Sequence, residues 1–251
     1  MAEAKLFTQR HGDISCYFNQ HVAGQKNILI LHGALGKANR LTHLTLRFPG
    51  YNLLFCDLKG HGKSAGPATG YAPTSLAHDL VETITTTFAG STFAVIAESF
   101  SGIIALELAK LLTNLQRIIM IDTPFDNQHM KASFFALTLA YQTQAKRREG
   151  IAGISHEFFG LDVDTQEITP RTYFEYLRGI RVPILMITGN RKAIDMPNVA
   201  EAGAYFAEAD RIKIDGYTDQ FSYIEIPGGR HRLLKTHAVE VIQIVRDLLE
   251  S

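Results

Sequence analysis

Ser99 stands between an apolar run, 92–97, and a helical pattern, 101–112, with Ala97 two positions before it and Ser101 two after. A strand that turns straight into a helix strains the residue at its apex. It also crowds the side chains two before and two after, so those must be small. The usual pattern is Gly-x-Ser-x-Gly, and here both glycines are replaced, by Ala97 and Ser101. The apex hydroxyl would project above the sheet, where the helix N-terminus directs positive potential at it. Such a serine does acyl-transfer chemistry when a base takes its proton and amides hold the developing oxyanion. The competing reading is a helix N-cap, which Ser99 or Ser101 could equally supply. His231 is the candidate base. It follows the last apolar run, 222–226, and the turn Gly228-Gly229, and lies 231 − 99 = 132 residues beyond Ser99. Imidazole suits that role near neutral pH, and the competing reading is a surface-loop histidine, one of ten. After the first central run, 27–31, come His32, Gly33 and Ala34. The Ala34 N–H with that of Phe100 would form an oxyanion hole. His32 itself reads as structural.

These groups need elements that bring them together. Apolar runs at 27–31, 52–56, 92–97, 117–121, 182–187 and 222–226 alternate with helical patterns at 74–88, 101–112 and 237–249. Near-continuous Ile, Leu, Val and Phe content fits strands buried on both faces of a mostly parallel sheet flanked by helices. Residues 14–18 fit an antiparallel edge strand. The 74–88 helix offers a Thr/Ser cap at its start. In such sheets ligands bind beyond the carboxyl ends of the strands, and Ser99, His231 and Ala34 all fall there. The interval 126–179 is far longer than an ordinary connection of about 2–6 residues. It reads as three helices, 130–148, 151–160 and 170–177, forming a lid over a core of 1–125 and 180–251. A further helix is expected over 199–209, followed by an exposed charged loop at 210–215.

Four motifs in order, Leu31-His32-Gly33, Asp57-x-x-Gly60-His61-Gly62-x-Ser64, the elbow at 97–102 and Gly229-x-His231, resemble the α/β-hydrolase superfamily over about residues 5–250. The second motif resembles that of the lid-bearing branch of esterases, peroxidases, carbon–carbon hydrolases and lyases, where it shapes a turn and is not itself catalytic. The resemblance implies an α/β-hydrolase fold with a helical lid inserted between two strands. It also implies a third triad member three residues after Gly189, where this chain has Lys192. Two carboxylates are open as replacements. Asp195 lies three residues further along the same loop, and Asp122 ends the preceding strand, where some lipases of this fold carry their acid. Asp126, another residue or no acid at all stand behind them, and either aspartate could instead cap a loop or helix.

The composition narrows partners and compartment. Lys+Arg and Asp+Glu both total 25, so the net charge is zero, which argues against nucleic acid or an anionic membrane as a partner. No apolar run reaches the roughly 18–20 residues of a membrane span, the first 13 residues do not read as a secretory signal, and a cytoplasmic setting is expected. Cys16 and Cys56 make no disulfide framework and no zinc site. No dinucleotide or phosphate-loop pattern occurs, so no cofactor and no metal are expected. Lys146-Arg147-Arg148 reads as a solvated helix end, with a docking patch for an acidic acyl carrier as the sharper alternative. Phe134, Phe135, Leu137, Leu139, Tyr141, Phe158, Phe159, Leu161, Tyr173, Phe174 and Tyr176 make the insertion apolar. The expectation is a serine hydrolase that cleaves a carboxylic ester or related acyl bond of a small, largely apolar substrate. The alternatives are a carbon–carbon hydrolase, lyase or cyclase, motivated by Lys192, and a non-catalytic binding protein.

Overall fold

The computed structural model describes residues 6–19, 21–64, 66, 69–128, 148–162, 165, 167–192 and 203–251. Strands β1 (Phe7–His11), β2 (Ile14–Phe18), β3 (Lys26–Leu31), β4 (Tyr51–Cys56), β5 (Phe93–Glu98), β6 (Leu115–Ile121), β7 (Ile184–Gly189) and β8 (Phe221–Ile226) form one sheet in the order β1-β2-β4-β3-β5-β6-β7-β8. β1–β2 and β2–β4 pair antiparallel, and every later pairing is parallel. The 14–18 run is a strand as expected, but β1 lies outside it and is the edge. β1 alternates Phe7, Gln9 and His11 with Thr8 and Arg10 and is mostly exposed, so no apolar run announces it.

Sheet periodicity decides which residues go to which face. In β3, Leu29 and Leu31 join one core cluster and Ile28 and Ile30 the other. Helices α1 (Pro73–Phe88) and α2 (Ser101–Leu111) supply Leu76, Leu80, Ile84, Ile104 and Leu108 to the first face. Helix α6 (Ala238–Glu250), entered through the short α5 (Leu233–Thr236), supplies Val241, Ile242 and Val245 to the second. Each fully buried Leu or Ile contributes roughly 1.5–3 kcal/mol over leaving it exposed. Helix α1 has Ala72 at its N-cap with no side-chain cap; Pro73, pre-set for the first helical turn, starts the helix, and Thr74 is turned to Glu107 instead.

Residues 126–179 connect β6 to β7. Their described part holds α3 (Arg148–Gly153), which widens into a π-type turn at Ile154–Phe158, matching the start of the 151–160 expectation. The expected 170–177 helix is only a single 3-10 turn, Phe174–Leu177, because the chain before it runs extended alongside Phe125 and Asn127. The expected helix over 130–148 lies outside the described residues up to its last position. This segment is bolted to the sheet domain. Gly150 and Gly153 lie so close to Gly60 and Tyr71 that a Cβ at either would come within 2.1–2.3 Å of them. Glu157 accepts from the backbone N–H of Gly70 and Tyr71, and Asn127 donates to Phe159 O and Thr169 O. Phe158, Phe159, Leu161, Tyr173 and Phe174 are consumed in this packing.

The helix expected over 199–209 is corrected where it is described: 203–207 are not helical, because Ala204 N donates to Arg191 O and the amides of Tyr205 and Phe206 turn to the Asp122 carboxylate, and the helix starts only at Glu208. The charged run after it is corrected too. It is helix α4 (Glu208–Ile214), not an exposed loop. Asp210 accepts from Ala207 N at its start, Glu208 pairs with Arg211 one turn on, and Ile214 is buried. Among the described residues no helix is long and apolar enough to cross a membrane.

Candidate active site

Ser99 follows β5 with φ +59°, in the left-handed region that side chains other than glycine rarely adopt. Its N–H continues the parallel ladder to Ile121 O (2.8 Å), and its C=O takes Gly102 N (3.0 Å) and Thr123 Oγ1 (2.8 Å). Those bonds hold the turn so tightly that a Cβ at Gly102 would lie 2.0 Å from Thr123 Oγ1. Neither Ser99 nor Ser101 caps α2 with its side chain. Among the described residues the Ser99 hydroxyl has no hydrogen-bond partner, and the residue is buried.

The loop after β3 lies directly against this turn. A Cβ at Gly33 would stand 3.3 Å from Ser99 Cβ. Leu58 N donates to His32 Nε2 (3.1 Å), which puts the ring proton on Nδ1, facing Gly33 O at 2.9 Å. His32 therefore shapes the loop, as read from sequence. His61 lies with Nδ1 2.8 Å from Lys59 O and Nε2 2.7 Å from Ala34 O. His61 thereby ties the turn to the carbonyls of Lys59 and Ala34. The rest of that motif is a turn knot. Asp57 accepts from Ala38 N and Lys63 N, Ser64 Oγ donates to Asp57 O, and a Cβ at Gly62 would lie 2.1 Å from the Asp57 carboxylate. The N–H groups of Ala34 and Phe100 have no hydrogen-bond partner among the described residues, while the Phe100 ring is buried edge-on to Phe158 at 5.1 Å.

The structure brings Asp122 to His231. His231 Nδ1 donates to Asp122 Oδ2 at 2.6 Å. Asp122 follows β6, is fully buried, and has φ +47°, so the elbow serine and this aspartate are two of the three non-glycine residues at positive φ among the described residues. Its carboxylate also accepts from Thr188 Oγ1 (2.7 Å) and Tyr205 N (3.0 Å), with Phe206 N at 3.4 Å. A buried carboxylate is costly unless its lone pairs are filled; here hydroxyl, amide and imidazole donors fill them. The Tyr205 ring meets the His231 ring edge-on at 4.6 Å. Burial, then the nearby Asp122 carboxylate, pushes the Tyr205 phenol up, so it acts as a neutral wall. Sequence reasoning missed Thr188, Tyr205 and Phe206. Only Thr188-Gly189 at a strand end gave any signal.

Lys192 is accounted for structurally. Its Nζ donates to Gly189 O (2.7 Å) and pairs with Glu225. The β7 end holds the histidine turn: Arg191 N donates to Gly229 O, Gly228 N to Asn190 Oδ1, and a Cβ at Gly189 would lie 2.2 Å from Gly229 O. Asp195 and most of Lys146-Arg147-Arg148 lie outside the described residues. Asp126 is turned away to Gln128 N and Lys213. Cys16 and Cys56 face each other across β2 and β4. Burial pushes the Cys16 thiol up to about 11 and the Cys56 thiol well up, which leaves both poor nucleophiles. Among the described residues no group of three or more His, Cys, Asp or Glu could hold a metal ion.

Solved structures share this architecture. A proline iminopeptidase from Mycobacterium smegmatis matches with TM-score 0.68 and 14% identity over 98% of each chain. An esterase from Exiguobacterium antarcticum matches at 0.68 and 17%, over 95% of this chain and 96% of that one. An E-2-(acetamidomethylene)succinate hydrolase matches at 0.72 and 15%, over 98% and 100%. At such identities these likenesses establish the fold alone. No curated protein matches the sequence. The family described as serine aminopeptidase, S33, matches residues 23–156, which is 134 of 251 positions. The chain belongs to that family of α/β-hydrolases, and is a hydrolase.

Proposed function

We propose that this hydrolase cleaves a carboxylic ester or related acyl bond of a small, largely apolar substrate through an acyl-serine intermediate. Ser99 attacks the carbonyl. His231, oriented through Nδ1 by Asp122, takes the serine proton at Nε2 and returns it to the leaving group. The Ala34 and Phe100 amides hold the oxyanion, and the same histidine activates the water that releases the acid. The single observation that carries the reading is the 2.6 Å His231–Asp122 bond in the same strand-end layer as the strained Ser99. Residues 126–179 act as a lid in this reading, and the apolar composition of that insertion supports an apolar acyl or aromatic group. Lys192 is turned to Glu225, and the Asp122–His231 bond supports the acyl-serine reading over a carbon–carbon hydrolase, lyase, cyclase or receptor. An acidic acyl carrier at Lys146-Arg147-Arg148 and a cytoplasmic setting belong to the same proposal.

The family description favours a second substrate class, the N-terminal peptide bond, which the same machinery would cleave. Intact mass after exposure to a fluorophosphonate tests the mechanism, and p-nitrophenyl esters against aminoacyl p-nitroanilides separate the substrates. One adduct on the wild type, absent from Ser99→Ala, is expected. A folded wild type that takes up no probe refutes the acyl-serine mechanism.

A further inference from the structure

The proposed acyl transfer gives no role to two side chains beside the nucleophile. Ser101 occupies a position that is usually glycine, and Glu98 precedes Ser99. Both reach one peptide plane. Ser101 Oγ donates to His32 O, and Gly33 N donates to Glu98 Oε2 at 3.2 Å. These are the C=O and N–H of the peptide joining His32 to Gly33. A peptide is planar, so holding both of its polar ends fixes the rotation of the plane. The next peptide carries Ala34 N–H. Its C=O, on Gly33, takes Gly36 N (2.7 Å) and His32 Nδ1 (2.9 Å), and Ala34 O takes His61 Nε2 (2.7 Å). The loop is thus tied at every carbonyl from His32 to Ala34, and the ties at its first peptide come from residues flanking Ser99.

We propose that Glu98 and Ser101 form a two-point clamp that registers the oxyanion-donating loop to the nucleophile, making both positioning residues for the Ala34 amide. The clamp rests on the assignment of Ser99 and Ala34 made above. Oxyanion donors act when pre-set about 2.7–3.1 Å from where charge develops, and a misplacement of about 1 Å can cost on the order of 100-fold. Glu98 acts as a hydrogen-bond acceptor here, not as a charge, and Ser101 acts by reaching a carbonyl that glycine cannot reach.

The test compares p-nitrophenyl butyrate hydrolysis by wild type, Ser99→Ala, Ser101→Gly, Glu98→Ala and Glu98→Gln, with inhibition by an aliphatic trifluoromethyl ketone and thermal unfolding alongside. Ser101→Gly restores the second glycine of the usual elbow pattern, yet it is expected to lower kcat about 10- to 100-fold with KM within about threefold. Glu98→Ala should match it, Glu98→Gln should recover kcat to within about threefold, and the ketone should weaken in step with kcat. Ser101→Gly or Glu98→Ala within twofold of wild type would overturn the clamp. So would a loss shared in full by Glu98→Gln, or a loss that follows unfolding temperature. If the wild type shows no Ser99-dependent turnover, the proposed function falls and takes the clamp with it. If Ser99→Ala is dead and Ser101→Gly and Glu98→Ala turn over within twofold of wild type, only the clamp falls.

Discussion

Around Ser99, the chemistry-bearing groups come from one short stretch of chain, 98–102, and the loop laid against it. Around Asp122 they come from four separated places: the end of β6, Thr188 at the end of β7, Tyr205 and Phe206 before α4, and His231 after β8. The first region is held by backbone geometry and close approach, with Gly33 and Gly102 leaving room for neighbours 2.0–3.3 Å from a Cβ. The second is held by hydrogen-bond convergence on a buried charge-bearing group. A steric device depends on residue size at fixed spacing, and a convergence device depends on what the fold carries to one point. The two should therefore respond to different kinds of substitution.

The largest effect is expected where the regions meet. His231→Ala should lower kcat for an acyl ester by about 10⁴-fold, read from steady-state rates with circular dichroism unchanged. Gly102→Ala breaks the steric side, because its Cβ collides with Thr123 Oγ1, the group that holds Ser99 O. It should cost about 2–3 kcal/mol in denaturant unfolding, or roughly 5–10 °C in melting temperature. Thr188→Val removes one donor from Asp122 while keeping shape. Its expected effect is about tenfold on kcat, since leaving a buried acceptor short of a partner costs about 1–3 kcal/mol. Lys192→Met sharpens the contrast by doing little. Its pair with Glu225 is partly exposed, so stability should change by less than about 1 kcal/mol and kcat by less than about twofold.

The same contrast sets what the sequence made legible. The elbow, the His32-Gly33-Ala34 loop and the histidine turn are contiguous patterns with steric reasons, and each stands where its residues placed it. The buried parallel strands were visible through unbroken Ile and Leu, as in 28–31. The choice between Asp122 and Asp195 was not, because both stand at the right edge of the sheet in the sequence. What favours Asp122 in the proposal is the set of donors around it, which the fold assembles from residues up to 109 positions away. β1 escaped notice because an exposed edge strand need not be apolar. Helix α4 escaped because charged residues in local pairs look like a solvated loop until one apolar position, Ile214, is seen to be buried.

The central claim is that Asp122 orients His231 for Ser99, and the rate at which a fluorophosphonate probe phosphonylates Ser99, displacing fluoride, in Asp122→Asn tests it most directly. Asparagine keeps the volume and one acceptor but removes the group that sets the histidine tautomer. The account predicts a folded protein whose labelling rate falls by about 10³- to 10⁴-fold, while Asp195→Asn labels at the wild-type rate. An Asp122→Asn protein that labels within about fivefold of wild type, with the loss transferred to Asp195→Asn, would contradict it.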